Sequence, residues 1–534
     1  EIMPSLVGSE MCIRDRFNLI GRSSNEPIEH GAPQAWSVRP LSFRMAQQQE
    51  TEDNNVTIFS RGSLCFDRPA AREDVLQAYQ KHFEKLLTVS NETLQEITDN
   101  FVRVLSEGLE KEGQAVPMLP TFVFGWPTGE EKGDFLALDM GGTNLRTCLV
   151  KLNGDRTFEL NQTKFRIQEN HKHESGQKLF DYFGVCIREF LEKQYGSCDH
   201  LDEHLSLGFT FSFPTIQKRI DHGELIRWTK GFGNPETEGH DCAEMLRQGL
   251  RDAAVPVKLS SIINDTTGTL IASNYVEPDT KIACIFGTGC NAAYMEDVSE
   301  IPKLRHLNLP PHEKMAINCE YGAFDSYEHK YLASVRTKYD EEIDLTSNKP
   351  HEQAFEKMIA GMYLGEIFRL ILCDLVYEGV LFLGQETYKI EKPFCFDTAF
   401  LSLIEADSTE ELLTVMGLFK YFFSLETDLD ERQFFRRVAQ LIGTRSARLS
   451  ACGIAAIVKK KNLLEEGCTV GVDGSLYCKY PHFADRLHGA LADILGPEAK
   501  KIKTRQAEDG SGAGSAVIAA MTTARKNKGH LVDV

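Results

Sequence analysis

Two segments far apart in the chain each break an apolar run with a short turn rich in glycine and threonine. The first runs Phe135 to Met140, turns through Gly141, Gly142, Thr143 and Asn144, and resumes from Leu145 to Leu152. The second runs Ile282 to Phe286, turns through Gly287, Thr288 and Gly289, and resumes from Cys290 to Met295. Glycine lets a backbone approach an anion closely with its N–H groups turned outward, and a threonine hydroxyl adds a donor, so such turns suit phosphate. Asp139, immediately before the first turn, is a hard carboxylate of the kind that holds Mg²⁺ through water. Two Asp-Gly-Ser turns follow later, at Asp473-Gly474-Ser475 and Asp509-Gly510-Ser511. Neither a Walker sequence nor a protein-kinase signature set is present, so a nucleotide would be held by these turns. One such turn alone reads as a plain hairpin. Two of them, with the Asp-Gly-Ser turns, move the balance towards phosphate.

A second group of polar residues suits a neutral polyol, which is recognised hydroxyl by hydroxyl. Asn264, Asp265, Asn291, Glu320 and Glu356 are candidate acceptors; Ser212, Thr229 and Lys230 are candidate donors. Each has an ordinary alternative. Asp265 stands where a strand gives way to a helix and reads equally as a helix cap. Glu356 suits the first turn of a helix, and Lys230 reads as one solvated lysine among many.

The elements that would carry these residues follow from periodicity. Residues 72 to 112 are helical by spacing, and Pro117 to Lys132 is turn-rich. Leu205 to Ser212 and Val257 to Ile263 read as strands, and Thr266 to Tyr275 as a helix. Phe355 to Leu375 reads as one helix, with Gly361 and Gly365 allowing close packing. Phe434 to Lys461 is a further helix, Thr469 to Val472 a short strand, and the run from Gly510 to Gly514 opens an Ala-rich helix with no clear strand before it. Alternating strands and helices predict an α/β protein, and the paired hairpins suggest two related halves.

A chain of 534 residues exceeds one simple core. Its formal net charge of −19 argues against a general nucleic-acid binder. No apolar run stands out at the ~20 residues needed to span a bilayer. The 14 cysteines are scattered and lack a C-x-x-C pair, which predicts buried thiols in a reducing, cytoplasmic setting rather than a disulfide framework or zinc site. The first 44 residues hold five Arg and five acidic residues without an amphipathic period. That pattern fits neither a mitochondrial presequence nor a signal peptide. Residues 5–16 resemble adapter-derived sequence rather than native protein, and Met45 is the expected start.

Nine motifs then fall in one order: GDFLALDMGGTNLRTCLVKL (133–152), LGFTFSFP (207–214), LIRWTKGF (225–232), INDTTGTLIASNY (263–275), IFGTGCNAAY (285–294), INCEYGAF (317–324), QAFEKMIAGMYLGE (353–366), VGVDGSLY (470–477) and AEDGSGAG (507–514). This series, spread over about Met118 to Ala520, resembles the hexokinase family, its fungal-type hexokinase and glucokinase branch in particular. The resemblance implies an actin-like ATPase fold of the ribonuclease H type, with two α/β domains flanking a cleft. It implies a disordered tail over 1–65, N-terminal helices over 66–127 packing on the large domain, a small domain over 128–262, a large domain over 263–525 and a C-terminal tail over 526–534. It implies ATP and Mg²⁺ as cofactors, Asp265 as general base toward the sugar 6-hydroxyl, and Lys230 as a second catalytic group. Ser212, Phe213, Thr229, Lys230, Asn264, Asp265, Asn291, Glu320, Gln353 and Glu356 would line the sugar site. Asp139, Gly141, Gly142, Thr143, Asn144, Lys164, Gly287, Thr288, Gly289, Asp473, Gly474, Ser475 and Ser511 would hold ATP, with Asp139 reaching the metal through water. Two departures from the family pattern are Ala513 and the run Thr215-Ile216-Gln217. The expected partners are glucose or another hexose and ATP, with no nucleic acid, no membrane insertion, and a monomer or weak homodimer. The rival readings are a silent or moonlighting glucose sensor and an actin-like ATPase. The intact Asp139, Lys230 and Asp265 weigh against the first, and the Ser-Phe-Pro and Trp-Thr-Lys-Gly-Phe segments against the second.

Overall fold

The computed structural model describes residues 56–58, 64–66, 72–142, 144–197, 205–228 and 231–529. Thr143, Thr229, Lys230 and the stretches 1–55 and 530–534 lie outside the described residues. Within the segment expected to be an unstructured tail, β1 (Val56–Ile58) pairs antiparallel with β2 (Leu64–Phe66). The β-branched and aromatic residues of these runs favour that pairing. The segment up to Asp67 forms a unit by itself.

From Arg68 onward the chain forms a second unit. The predicted helical stretch 72–112 is two helices, α1 (Arg72–Leu87) and α2 (Asn91–Glu110). Ser90 separates them; its side chain accepts from Thr93 N and caps α2.

The predicted turn-rich segment contains a strand, β3 (Leu119–Phe124). It lies at a sheet edge, where Pro120 costs no ladder hydrogen bond. The first predicted hairpin is β4 (Lys132–Met140) and β5 (Asn144–Asn153), continued by β6 (Phe158–Arg166). Helix α3 (Gly176–Tyr195), β7 (Leu205–Phe211), the short pair β8 (Thr215–Ile216) and β9 (Glu224–Leu225), α4 (Cys242–Asp252) and β10 (Val257–Ile263) complete one five-stranded sheet and its cover. Its order is β10-β7-β4-β5-β6.

Helix α5 (Asp265–Val276) leads into the second hairpin, β11 (Thr280–Phe286) and β12 (Cys290–Asp297), followed by β13 (Lys314–Asn318). Helices α6 (Lys338–Thr346), α7 (Ala354–Ile359), α8 (Gly361–Tyr377), α9 (Thr398–Ala406), α10 (Leu413–Leu418) and α11 (Leu429–Lys460) come next. The chain then forms β14 (Cys468–Asp473), α12 (Ser475–Lys479), α13 (Phe483–Leu495), β15 (Ile502–Gln506) and α14 (Gly510–Asn527). The second sheet runs β15-β14-β11-β12-β13-β3.

Setting β3 aside, the two sheets share one topology. In each, three consecutive strands form an antiparallel meander, the fourth pairs parallel with the first, and the fifth pairs parallel with the fourth. The duplication suggested by the two hairpins is therefore present in the whole strand order.

Three further sequence readings change. The predicted single helix 355–375 breaks at Ala360, which is extended at φ −81°, ψ 150°. The break lets Gly361 N donate to Gly287 O at 2.8 Å. Strand β15 does precede the Gly510 run; its exposed, polar sequence at a sheet edge leaves no apolar signal to read. Helix α11 is also long and apolar enough by composition to cross a membrane, contrary to the reading from hydropathic runs. Most of its apolar stretch is buried, so it is a core helix of this fold. The eleven cysteines among the described residues that the structure shows are all unpaired, and nine of them are buried.

Candidate functional site

Asp265 occupies the first helical position of α5, at the end of β10. The capping role weighed for it belongs to its neighbour: Asn264 Oδ1 accepts from Thr266 N at 2.9 Å. Asp265 Oδ1 accepts from the Thr266 hydroxyl at 3.2 Å. An ionised carboxylate at a helix N-terminus is also stabilised by the helix dipole.

Asn264 lines a pocket together with Leu119, Thr121, Phe213, Thr215, Gln217, Asn318 and Glu320. Segments of both sheets therefore wall it. Two consecutive residues at the start of β12 hold two acids, Glu356 and the pocket residue Glu320. Cys290 N donates to Glu356 Oε2 at 2.9 Å. Asn291, buried, donates through Nδ2 to Glu320 Oε1 at 3.2 Å and to Asn318 Oδ1 at 2.8 Å. Asn291 Oδ1 accepts from Glu320 N at 2.9 Å. Asn318 Nδ2 donates to the same Glu320 Oε1 at 2.8 Å. Glu320 is held in the left-handed region, φ 52°, as is Gln353 at φ 54°, just before α7. Such strain persists where surrounding bonds over-determine it, and it clusters at ligand sites. Burial, with Glu356 and Glu320 adding to it, pushes the Cys290 thiol well above its ordinary value, so that sulfur stays neutral.

Ser212 and Phe213 directly follow β7. Phe213 is buried against Trp228 and Phe232, with ring centroids 5.0 Å and 5.4 Å away. Trp228 Nε1 donates to Asn234 O at 3.1 Å. This aromatic cluster fixes the segment that leads into Thr229 and Lys230.

The second glycine turn is clamped from two sides. Gly361 N and Met362 N donate to Gly287 O and Thr288 O, at 2.8 Å and 3.2 Å. Gly474, at φ +111°, lies against Phe286 O and Gly287 N so closely that a Cβ would collide with both. The Asp473–Ser475 turn thus abuts the Gly287–Gly289 turn. Thr288 and Ser475 are exposed beside it.

The first turn is organised by a residue that sequence reasoning missed. Arg146 lies directly opposite Asp139 in the β4–β5 register, and Lys164 directly opposite Arg146 in β5–β6. Asp139, Arg146 and Lys164 therefore share one face, with Gly141, Gly142 and Asn144 at the turn. Arg146 Nε and Nη2 donate to Asp139 Oδ2 at 3.3 Å and 3.0 Å. Nη2 also donates to Ser511 Oγ at 2.6 Å, and Ser511 Oγ donates to Asp139 Oδ2 at 2.8 Å. Nη1 reaches Gln162 Oε1 at 3.2 Å and pairs with Asp509 Oδ1. Burial raises the Asp139 carboxyl above its ordinary value; Arg146 and Ser511 pull it down, and the negative Asp265 raises it further. All three donors fall on Oδ2, leaving Oδ1 without a protein donor among the described residues. A hard carboxylate oxygen so placed fits a water of a bound Mg²⁺. A reader of the sequence could have found Arg146 by pairing the hairpin outward from its turn, and could have weighed Thr215 and Gln217 as pocket residues because they sit where the family pattern is broken.

A separate cluster does not join this site. His329 Nε2 lies 3.2 Å from His351 Nδ1 and 3.4 Å from Asp344 Oδ2. Asp344 is already neutralised by Arg336 at 2.8 Å and Lys357 at 2.7 Å, which disfavours a further cation there.

Comparison with known proteins gives the same picture over most of the chain. Two family models, both described as hexokinase, match residues 79–275 and 281–521. The hexokinase of Emericella nidulans is 48% identical over 463 residues, covering 85% of this chain and 92% of that protein. Hexokinase-2 of Saccharomyces cerevisiae is 45% identical over 463 residues, covering 85% and 94%. The solved structure of a Schistosoma mansoni hexokinase complexed with glucose superposes with a TM-score of 0.76 at 34% identity, covering 84% of this chain and 99% of that one.

Proposed function

Because the chain belongs to the hexokinase family, with its actin-like α/β fold, we propose that it transfers the terminal phosphoryl group of ATP to the 6-hydroxyl of glucose, and also of fructose and mannose, as the first step of glycolysis. The observation that carries the reading is the division of labour at the end of β10. Asn264, which lines the pocket, takes the helix cap and leaves the carboxylate of the next residue, Asp265, without a capping duty.

Asp265 Oδ2 then receives the proton of the 6-hydroxyl and orients that oxygen for in-line attack. Glu320, Glu356, Asn291, Asn264 and Gln353 accept from or donate to the other hydroxyls, with Ser212, Phe213 and Thr229 completing the wall. The glycine turns at 141–144 and 287–289 present N–H groups to the phosphates. Asp473–Ser475 and Ser511 flank the nucleoside, and Lys164 and Lys230 offset phosphate charge. Mg²⁺, when bound, would neutralise charge on the β- and γ-phosphates, and Asp139 through Oδ1 and a water is the residue that would hold it. The small domain is taken as 128–262 and the large as 263–525, closing on the sugar so that water is a poor competitor.

A coupled assay of hexose-dependent ADP release tests the reading. The parent should release ADP only with hexose present. Asp265→Ala should lower kcat at least about a hundred-fold while keeping its unfolding midpoint. A loss under about tenfold, with a lowered midpoint, would instead mark Asp265 as structural.

A further inference from the structure

Arg146 has five N–H donors, and the structure occupies all five: Nε on Asp139, Nη2 on Asp139 and Ser511, Nη1 on Gln162 and Asp509. A phosphate arriving at the first turn therefore gains no hydrogen bond from Arg146 unless an existing one breaks. The partners are not equal. Asp139 is fixed by its place opposite Arg146 in the register. Ser511 is neutral and closes a triangle with both, and Gln162 is neutral and exposed. Asp509 is the one anionic partner that comes from a different sheet's connection, at the entrance to α14.

Asp509 is itself poorly settled. It stands in the left-handed region at φ 48°. Its Oδ2 is buried and has no hydrogen-bond partner among the described residues. Gly512 packs so near that a Cβ there would lie 2.5 Å from that oxygen. A buried carboxylate oxygen without a donor is costly, so the ion pair with Arg146 is a weak resting place and not a lock. The cluster of Asp139, Asp509 and Arg146 also carries one surplus negative charge beside the proposed phosphate site.

From this we infer that Asp509 is an internal competitor for Arg146, an affinity-setting residue that withholds the guanidinium from the nucleotide phosphates until they displace it. The inference rests on the reading of the glycine turns as a nucleotide site. Replacing the carboxylate by an amide exchanges a charge-assisted bond for a neutral one of roughly half the strength.

Isothermal titration of MgATP into the full chain, without sugar, tests it on four proteins: the parent, Asp509→Asn, Arg146→Lys and the double variant. Asp509→Asn should bind MgATP about three- to tenfold tighter than the parent. The same change on the Arg146→Lys background should leave the affinity within about twofold, because an ammonium cannot span these partners. Equal or weaker binding by a folded Asp509→Asn overturns the inference. A gain that persists on the lysine background also overturns it, since relief of charge repulsion alone would then explain the result. Should Asp509→Asn show a lowered unfolding midpoint, Asp509→Ser is read by the same criteria. A parent that binds MgATP but phosphorylates no hexose removes the proposed function and leaves this inference standing; a parent that binds no MgATP removes both.

Discussion

Asp139 serves two ends that pull apart. Its place beside the first turn suits a metal-bound water, yet burial holds its carboxyl above the ordinary value, so that ionisation is less favourable there than in the unfolded chain. A carboxyl whose pKa is raised by folding costs nothing below the unfolded value, about 3.9, and costs stability as pH rises through the folded value. Ligand-free Asp139→Asn should therefore melt higher than the parent at pH 7, with the gain shrinking as pH falls toward the ordinary carboxylate range. Arg146 keeps Asp509 and Gln162 as partners in that variant. Phosphoryl transfer should fall in the same protein. Thermal melts from pH 7 downward check this, and a variant that melts lower than the parent at pH 7 would refute it. The acids and amides around the pocket were readable in the sequence because their types are few and fall in motifs. Arg146 needed the hairpin to be paired outward from its turn, and the role of Asp509 was hidden because it lies in a contact across more than 360 residues of sequence.

At the scale of elements, the glycine turns proposed to hold phosphate owe their shape to what is packed behind them. Gly474 requires both its positive φ and its missing side chain, because backbone atoms of Phe286 and Gly287 occupy the space a Cβ would need. Backbone cannot yield as a flexible side chain can. Gly474→Ala should cost about 1–3 kcal/mol in unfolding free energy and displace the second turn, raising KM for MgATP while sparing hexose binding. Denaturant melts and steady-state kinetics on one preparation check both parts; an unchanged KM for MgATP would show that the turn tolerates the shift. Strong periodicity made α2, α5, α11, β4 and β10 legible. The edge strands β3 and β15 were not, since one carries Pro120 and the other is polar and exposed, and the break at Ala360 was hidden because residues on both sides share one apolar helical period.

At the scale of the molecule, two hairpins were enough to suggest a duplication that the strand order bears out in full. Of the three tryptophans, Trp228 packs within the aromatic cluster of Phe211, Phe213 and Phe232 that precedes the proposed sugar-binding residues Thr229 and Lys230. Closure on glucose should change its surroundings and hence the intrinsic emission, and Trp228→Phe should abolish most of that change. A glucose response of unchanged size in the variant would place the reporter elsewhere.

Helix α14 lies against α5 and against β4, β7 and β10 of the five-stranded sheet, so closely that Gly208 and Gly514 have no room for a side chain. Residues 510–527 thus complete a sheet whose strands all precede Asn264. During synthesis, that sheet leaves the ribosome well before its covering helix does. Its inner face waits, incompletely sealed, through the translation of some 250 further residues, which at about 5–20 residues per second is on the order of ten to fifty seconds. The first-made half of the molecule is in that sense the last to mature, and its exposed interval is one in which chaperones would find it.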